Sequence, residues 1–251
     1  CKQGEPLKDY KTNSHVLLSD MADLEELPEG ARPRQGDMTE SNVNIQLKDY
    51  AKRMAVTRKA IVNDDLSGFT RIPMEFGKSA DRKQNTLAYA KLIESGNYTS
   101  VNTGTAGAPS ATTVGELRKL MRKRTALGAT GATARPLNLT PKILIVPPEH
   151  EVVALALKAT IYPATASDAK DAQFQDLVVV VDAALTNANK WYMAADPNSY
   201  EGIVYNYLAG ENGVVLDTFY SQDDGNLIVQ ARLAFTVNVV DSKALAYNAG
   251  V

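Results

Sequence analysis

The sequence predicts an α+β fold, and three stretches carry that prediction. Leu227, Val229, Ala231, Leu233, Phe235, Val237 and Val239 recur at every second position, with Gln230, Arg232, Thr236 and Asn238 among the residues between them. That period belongs to a long strand with one buried face. Across residues 64–95, Phe69, Ile72, Phe76, Ala80, Leu87, Ala90 and Ile93 fall near helical spacing, with Lys78, Arg82 and Lys83 on the opposite side. This is the pattern of a long amphipathic helix. Residues 137–215 alternate short apolar runs with a short helical pattern, which reads as a compact α/β unit.

Composition limits what such a fold is for. The chain has 251 residues, of which 44% are hydrophobic and 22% charged, so it has material for one large core or two small ones. The net charge of -2 gives no bulk basic excess of the kind that marks nucleic-acid binders. A single cysteine, Cys1, excludes an internal disulfide and a thiolate metal cluster. Two histidines, His15 and His150, exclude a histidine-rich metal site. The apolar run Leu177–Val181 is ended by Asp182, far short of the ~18 residues of a membrane span. Cys1 at the first position has three readings: a terminus left by a maturation protease, the lipidated first residue of a bacterial lipoprotein, or an N-terminal nucleophile.

Taken in order, residues 1–15 are polar and carry Gly4, Pro6 and Asn13, as an extended arm would. Residues 16–63 have an uneven charge layout. Asp20, Asp23, Glu25, Glu26 and Glu29 lie in a stretch without Lys or Arg, whereas Lys48, Lys52, Arg53, Arg58 and Lys59 lie in one with Asp49 as its only acid. A turn-rich segment, 28–37, separates them, and Val43, Ile45 and Leu47 alternate with polar residues, a pattern that Met54 and Val56 continue. We read this as a long two-stranded hairpin, acidic on one limb and basic on the other, marginal alone and in need of a surface to lie on. Asp64 or Asp65 caps the helix of residues 64–95, Pro73 kinks it or breaks it early, and Gly96-Asn97 ends it. After a Gly/Ser/Thr/Ala loop, a second helix is expected from about Val114 to Thr125. Its apolar face is Val114, Leu117, Leu120 and Met121, beside a basic stripe of Arg118, Lys119, Arg122 and Lys123. Within the α/β unit, Ile143–Val146, Leu177–Val181 and Trp191–Ala194 read as strands, 149–159 as a short helix and Asp196-Pro197-Asn198 as a turn. Asp223-Asp224-Gly225-Asn226 supplies hairpin-turn chemistry before the long strand.

No catalytic constellation survives inspection, and we assign no catalytic, cofactor or metal residue. Gly77-Lys78-Ser79 is the tail of a phosphate loop, but Ile72 stands where the leading Gly is required and the setting is a helix. His150-Glu151 begins a zincin motif that Ala154 leaves incomplete. No Gly-x-Ser-x-Gly elbow occurs, and the 223–226 turn lacks the ligand spacing and closing Glu of a calcium loop. The stripe of Arg118, Lys119, Arg122 and Lys123 is either a solvated helix face or a surface for nucleic acid.

One segment is specific. Arg58-Lys59-Ala60-Ile61-Val62-Asn63-Asp64-Asp65-Leu66-Ser67-Gly68-Phe69-Thr70-Arg71-Ile72-Pro73 resembles the stretch that opens the long helix in Mu-like major head subunits of tailed phages. Trp191-Tyr192-Met193-Ala194-Ala195-Asp196-Pro197, the strand Arg232–Asp241 and the ending Tyr247-Asn248-Ala249-Gly250 are similar to further family segments, in the same order. The stretch after Gly96 departs by being shorter and lacking histidines. The resemblance implies a Hong Kong 97-type capsid fold: an N-terminal arm (1–15), an extended loop (16–63), a peripheral domain with a spine helix (64–136), an axial domain (137–215) and peripheral return strands (216–251). It implies a major capsid protein that self-assembles as hexamers and pentamers into an icosahedral shell around DNA, with scaffold, portal and decoration proteins as partners and no membrane. Such a shell is part of the virion and is built in the bacterial cytoplasm. The interface candidates are Lys48, Lys52, Arg53, Arg58 and Lys59 on the basic limb and Asp23, Glu25 and Glu26 on the acidic one, pairing between copies or within one hairpin. The DNA-facing candidates are Arg118, Lys119, Arg122 and Lys123. Rival readings are an encapsulin-like nanocompartment, a surface lipoprotein beginning at Cys1, and an enzyme with an N-terminal Cys.

Overall fold

The computed structural model describes residues 1–18, 26–30, 32, 33, 35, 38–63, 71–98, 103–127, 135–158, 174, 176–222 and 224–250. In chain order its elements are β1 (Lys2–Gln3), β2 (Asn13–Leu18), β3 (Glu40–Ile45), β4 (Lys48–Val56), α1 (Arg58–Asn63), α2 (Ile72–Ile93), α3 (Ala111–Arg122), β5 (Pro141–Val146), α4 (Glu151–Ala156), β6 (Val178–Val181), β7 (Trp191–Ala195), β8 (Ile203–Tyr207), β9 (Val215–Tyr220), β10 (Leu227–Val239) and β11 (Leu245–Asn248). The chain divides into two interleaved units. One holds residues 1–13, 44–92 and 203–238; the other holds 14–43, 93–202 and 239–251.

The first unit is a five-stranded sheet, β1-β8-β10-β4 with β9 also on β10, and the helix α2. Its spine is the 13-residue β10, the alternating run read from the sequence. Leu233, Phe235 and Val237 are buried, and Tyr50, Ala80, Leu87, Tyr205 and Tyr207 pack on them. The rings of Tyr205, Tyr207 and Phe235 lie 5.2 to 5.9 Å apart by centroid, in tilted and edge-on arrangements that suit aromatic quadrupoles. The N-terminal arm is tied down as a parallel strand. Lys2 and Gln3 face Val204 and Tyr205, and the Gly4 and Leu7 amides donate to the Tyr205 and Tyr207 carbonyls. Gly4 permits this approach, because a Cβ there would overlap the Asn206 amide and the Val204 side chain.

The second unit is built on a mixed four-stranded sheet, β11-β7-β5-β6, in which only β5 and β6 run parallel. Trp191, Met193, Leu144, Val146 and Leu245 fill its core, and α3 adds Val114, Leu117 and Met121. The start of α3 is set by a capping box: the Ser110 hydroxyl accepts from the Thr113 amide, and the Thr113 hydroxyl accepts from the Ser110 amide. The loop before it is pinned by Asn248, whose Oδ1 accepts from Gly107 N at 3.0 Å and whose Nδ2 donates to Thr105 O at 2.7 Å. The Trp191 indole donates to Gly107 O at 2.9 Å.

Several sequence expectations are corrected. The hairpin is β2 with β3, not an acidic limb with a basic one: the basic limb is β4, which pairs antiparallel with β10 from Lys48↔Phe235 to Val56↔Leu227. The ladder with β10 runs the full length of β4, and a partner so distant in sequence leaves no trace in the local alternation. The long helix begins at Ile72, with Pro73 in its first turn, where a missing N–H costs nothing, and so Pro73 starts the helix rather than kinking it. The capping candidates Asp64 and Asp65 lie outside the described residues, as do Asp223 of the turn before β10 and most of residues 159–175. The helix placed at 149–159 is a 3-10 turn, Pro148–His150, followed by α4. β8 and β9 belong to the first unit's sheet, and α3 and β11 lie in the second unit.

Candidate assembly surfaces

The basic limb splits across the two faces of a sheet. Residues directly opposite in an antiparallel pair share a face. Lys48, Tyr50 and Lys52 stand opposite Phe235, Leu233 and Ala231, on the buried side of β10. Arg53 stands opposite Gln230 and belongs to the other face, where Asp217 also opposes Gln230 and pairs with Arg232 at 3.2 Å. Lys48, Lys52 and Arg53 are exposed on β4, and Arg58 and Lys59 are exposed on α1. Of the acidic candidates, Glu26 is exposed, while Asp23 and Glu25 lie outside the described residues. The strand partner of the basic limb β4 among the described residues is β10.

Helix α2 has a surprising economy of burial. Of its 22 residues, only Leu92 is buried among those described. Phe76, Ser79, Ala80 and Lys83, at i, i+3, i+4 and i+7, form one stripe that faces a groove of about 380 Å³. The other wall is β4, four successive residues of which (Asp49, Tyr50, Ala51 and Lys52) line it, with Leu233 at the floor. The Lys83 ammonium sits 4.8 Å from the centre of the Tyr50 ring, a cation–π arrangement. Lys83 was expected on the side of the helix opposite its apolar residues; instead its stem follows the apolar stripe, as long cationic side chains do. Asp49 is engaged elsewhere: the Tyr10 hydroxyl donates to it at 2.7 Å, and this bond pushes the Tyr10 phenol up to about 12. Sequence reading missed this groove because nothing local announces that α2 and β4 share a wall.

The second basic surface is on α3. Lys119 and Arg122 are exposed on its last turn, Lys123 is exposed at its C-cap and Arg118 is half-buried. Cations in this position also complement the helix dipole. The next residue, Arg124, was not singled out from sequence. It is buried, and Nη1 donates to the Lys243 carbonyl, while Nε and Nη2 have no hydrogen-bond partner among the described residues. Burial pushes its guanidinium down to about 10, opposed by Asp241. Asp241 is itself engaged by the Tyr200 hydroxyl and the Lys243 amide.

Other sequence candidates are absorbed by structure. Lys78 of Gly77-Lys78-Ser79 lies in mid-helix and pairs with Glu75 at 2.8 Å. Among the described residues no three His, Cys, Asp or Glu side chains converge as metal ligands, and no helix is long and apolar enough to cross a membrane.

Solved structures share this fold across nearly the whole chain. The mature capsid of bacteriophage PhiM1 matches with a TM-score of 0.64 at 9% identity, covering 98% of this chain and 84% of that one. The capsid of a native GTA particle matches at 0.63 and 12% identity, covering 98% and 87%. The SrpI encapsulin of Synechococcus elongatus matches at 0.62 and 11% identity, covering 98% and 84%. The fold is therefore the Hong Kong 97 type that the sequence resemblance implied. No curated protein sequence matches. At such identities the structures speak for the fold alone; the sequence itself speaks for more, because residues 40–248 match the family model of phage capsid proteins, and to that family the chain belongs.

Proposed function

We propose that this chain is the major head subunit of a tailed phage, closing as hexamers and pentamers into an icosahedral shell around DNA. The match of residues 40–248 to the capsid family carries the reading. The physical support is a subunit that leaves much of α2 and β4 uncovered, as a polymer unit with several repeated weak interfaces must. In this reading the first unit is the peripheral domain with α2 as its spine, the second is the axial domain, and β2 with β3 is the base of the extended loop. Lys48, Lys52, Arg53, Arg58 and Lys59, with Asp23, Glu25 and Glu26, set register between copies. Exposed pairs contribute only about 0 to 1 kcal/mol each, but repetition through a shell multiplies them. The stripe of Arg118, Lys119, Arg122 and Lys123 faces the packaged genome. Scaffold, portal and decoration proteins are its further partners, and assembly takes place in the host cytoplasm before the protein resides in the virion.

Negative-stain microscopy with light scattering on the purified protein tests this. Uniform closed shells are expected; a persistent monomer in every salt and pH condition, with and without a candidate scaffold, overturns it. The encapsulin match motivates a second reading, a nanocompartment. Nuclease-resistant DNA inside the particles decides for the phage head, and a protein cargo in its place decides for the compartment.

A further inference from the structure

The link between β8 and β9, residues 208–214, is held at both ends and free in the middle. At its start it carries the N-terminal arm. The Leu7 amide donates to the Tyr207 carbonyl at 2.9 Å, and the Ala209 amide donates to the Leu7 carbonyl at 2.8 Å. The Glu211 amide closes the turn on the Leu208 carbonyl at 3.0 Å. At the other end Val214 packs on the buried cluster of Leu233, Phe235 and Val237. Asn212 and Gly213 lie between these anchors. Asn212 is exposed, and neither residue makes a hydrogen bond among the described residues.

This is the sole Asn-Gly pair in the chain. A backbone amide nitrogen can attack the side-chain carbonyl carbon of the asparagine before it and close a five-membered ring. Three things hold that reaction back in a folded chain: a side chain on the attacking residue, hydrogen bonds that engage the reacting groups, and packing that leaves no room for the ring. All three are missing at Asn212. Gly213 has no side chain, and a Cβ built on it would meet no atom within 4 Å. Asn248 and Asn187 show the contrast. Asn248 is buried with its carboxamide fully engaged, and the Asn187 Oδ1 accepts from the amides of Asn189 and Lys190. Both precede an alanine, whose methyl group crowds the attacking nitrogen.

We propose that Asn212 is a site of self-modification, at which the folded chain passes through a succinimide to isoaspartate and aspartate. In the first step a bond forms between the Gly213 nitrogen and Asn212 Cγ, and the Cγ–Nδ2 bond breaks. The Gly213 amide proton passes to the leaving nitrogen, which departs as ammonia. In the second step water opens the ring, and nothing is oxidised or reduced. Addition at Cγ returns the normal backbone with an aspartate side chain; addition at the Asn212 backbone carbonyl gives isoaspartate. Both products carry a new negative charge next to Glu211. Isoaspartate also routes the backbone through Cβ and so lengthens it by one atom. The extra length falls between the turn that holds Leu7 and the anchor at Val214, and it loosens the seat of the N-terminal arm. The inference does not depend on the shell reading.

The test uses the purified full-length chain, kept warm at neutral pH over weeks. Peptide mass spectrometry is expected to find a gain of about 1 Da at Asn212, ahead of every other asparagine. In heavy-oxygen water a further gain of about 2 Da marks the hydrolysis step, and fragmentation is expected to assign isoaspartate as the larger product. The free peptide of residues 208–216 is the reference, and the folded chain is expected to convert within about tenfold of its rate. Asn212→Gln is expected to abolish the gain and to leave the circular dichroism unchanged. An Asn212 that stays intact while the free peptide converts overturns the inference, because the fold then protects it. Conversion spread evenly over the asparagines overturns it as well. Hydrogen exchange at the Leu7 and Ala209 amides reads the effect on the arm. It is expected to be severalfold faster in the aged chain than in Asn212→Asp, which has the charge without the longer backbone; equal exchange in the two overturns the coupling to the arm.

Discussion

Replacing Asn248 with Ala is expected to be among the most damaging changes available in the second unit. The side chain is fully buried and makes three hydrogen bonds: it accepts from Gly107 N at 3.0 Å and Gly250 N at 2.9 Å, and donates to Thr105 O at 2.7 Å. Truncation leaves two amides and one carbonyl without this partner. An orphaned buried polar group costs about 1 to 3 kcal/mol, so the three together cost roughly 3 to 5 kcal/mol after some relaxation. That is a large share of the about 5 to 15 kcal/mol that holds a typical domain folded. The assay is urea denaturation of the subunit kept below its assembly concentration, followed by the fluorescence of Trp191. This is the single tryptophan of the chain, and its indole donates to Gly107 O, in the same loop that Asn248 holds. With a slope of about 1 to 3 kcal/mol per molar urea, the midpoint is expected to fall by about 1 to 5 M. A shift worth less than about 1 kcal/mol would show that the loop finds other partners and would refute the reasoning.

Three further outcomes are expected. Gly250→Ala meets both a φ of +71° and an overlap of the new Cβ with the Asn189 carbonyl, so it should cost more than about 2 kcal/mol in the same denaturation experiment; a neutral result would show that the chain end moves freely. The phenol of Tyr10, held up at about 12 by its bond to Asp49, stabilises the fold fully below the ordinary tyrosine range near 10, and this contribution is lost as the pH rises from about 10 towards 12. Asp49→Asn should return one tyrosine to the ordinary range in an alkaline absorbance titration, and an unchanged titration contradicts the assignment. Arg124→Met should leave stability within about 1 kcal/mol of wild type, because burial of the guanidinium is offset by only one hydrogen bond among the described residues; a loss above about 3 kcal/mol in a urea melt would reveal a firm ion pair.

The parts of the fold that sequence announces are those whose partners do not matter to the signal. The alternation of β10, the apolar face of α3 and the short runs of β5, β6 and β7 are periodicities written into consecutive residues. The assignment of β4 to a hairpin failed for the opposite reason. The alternation of Val43, Ile45 and Leu47 runs on into β4 without a turn signal, yet the chain changes sheets between Ile45 and Lys48. The decision lies with β10, whose Leu227 meets Val56 from the far end of the sequence. The same holds for the groove. Lys52 was legible as part of a basic cluster and Phe76 as part of a helix face, but their shared wall exists only because β10 brings β4 under α2. Arg124 was hidden beside four more conspicuous basic residues, and only burial distinguishes it from them.

The interleaving of the two units has a consequence for when a subunit becomes usable. A ribosome releases β4 and α2 early, but among the described residues the strand partner of β4 is β10, which emerges much later, and β7 gains its neighbour β11 only later still. Pairings this distant in sequence are slow to form, and the intermediates expose unpaired edges. A chain broken off before β10 can therefore complete neither sheet, and has no finished surface to offer a growing shell. Completion of both sheets thus waits on β10 and β11, the last strands of the described chain.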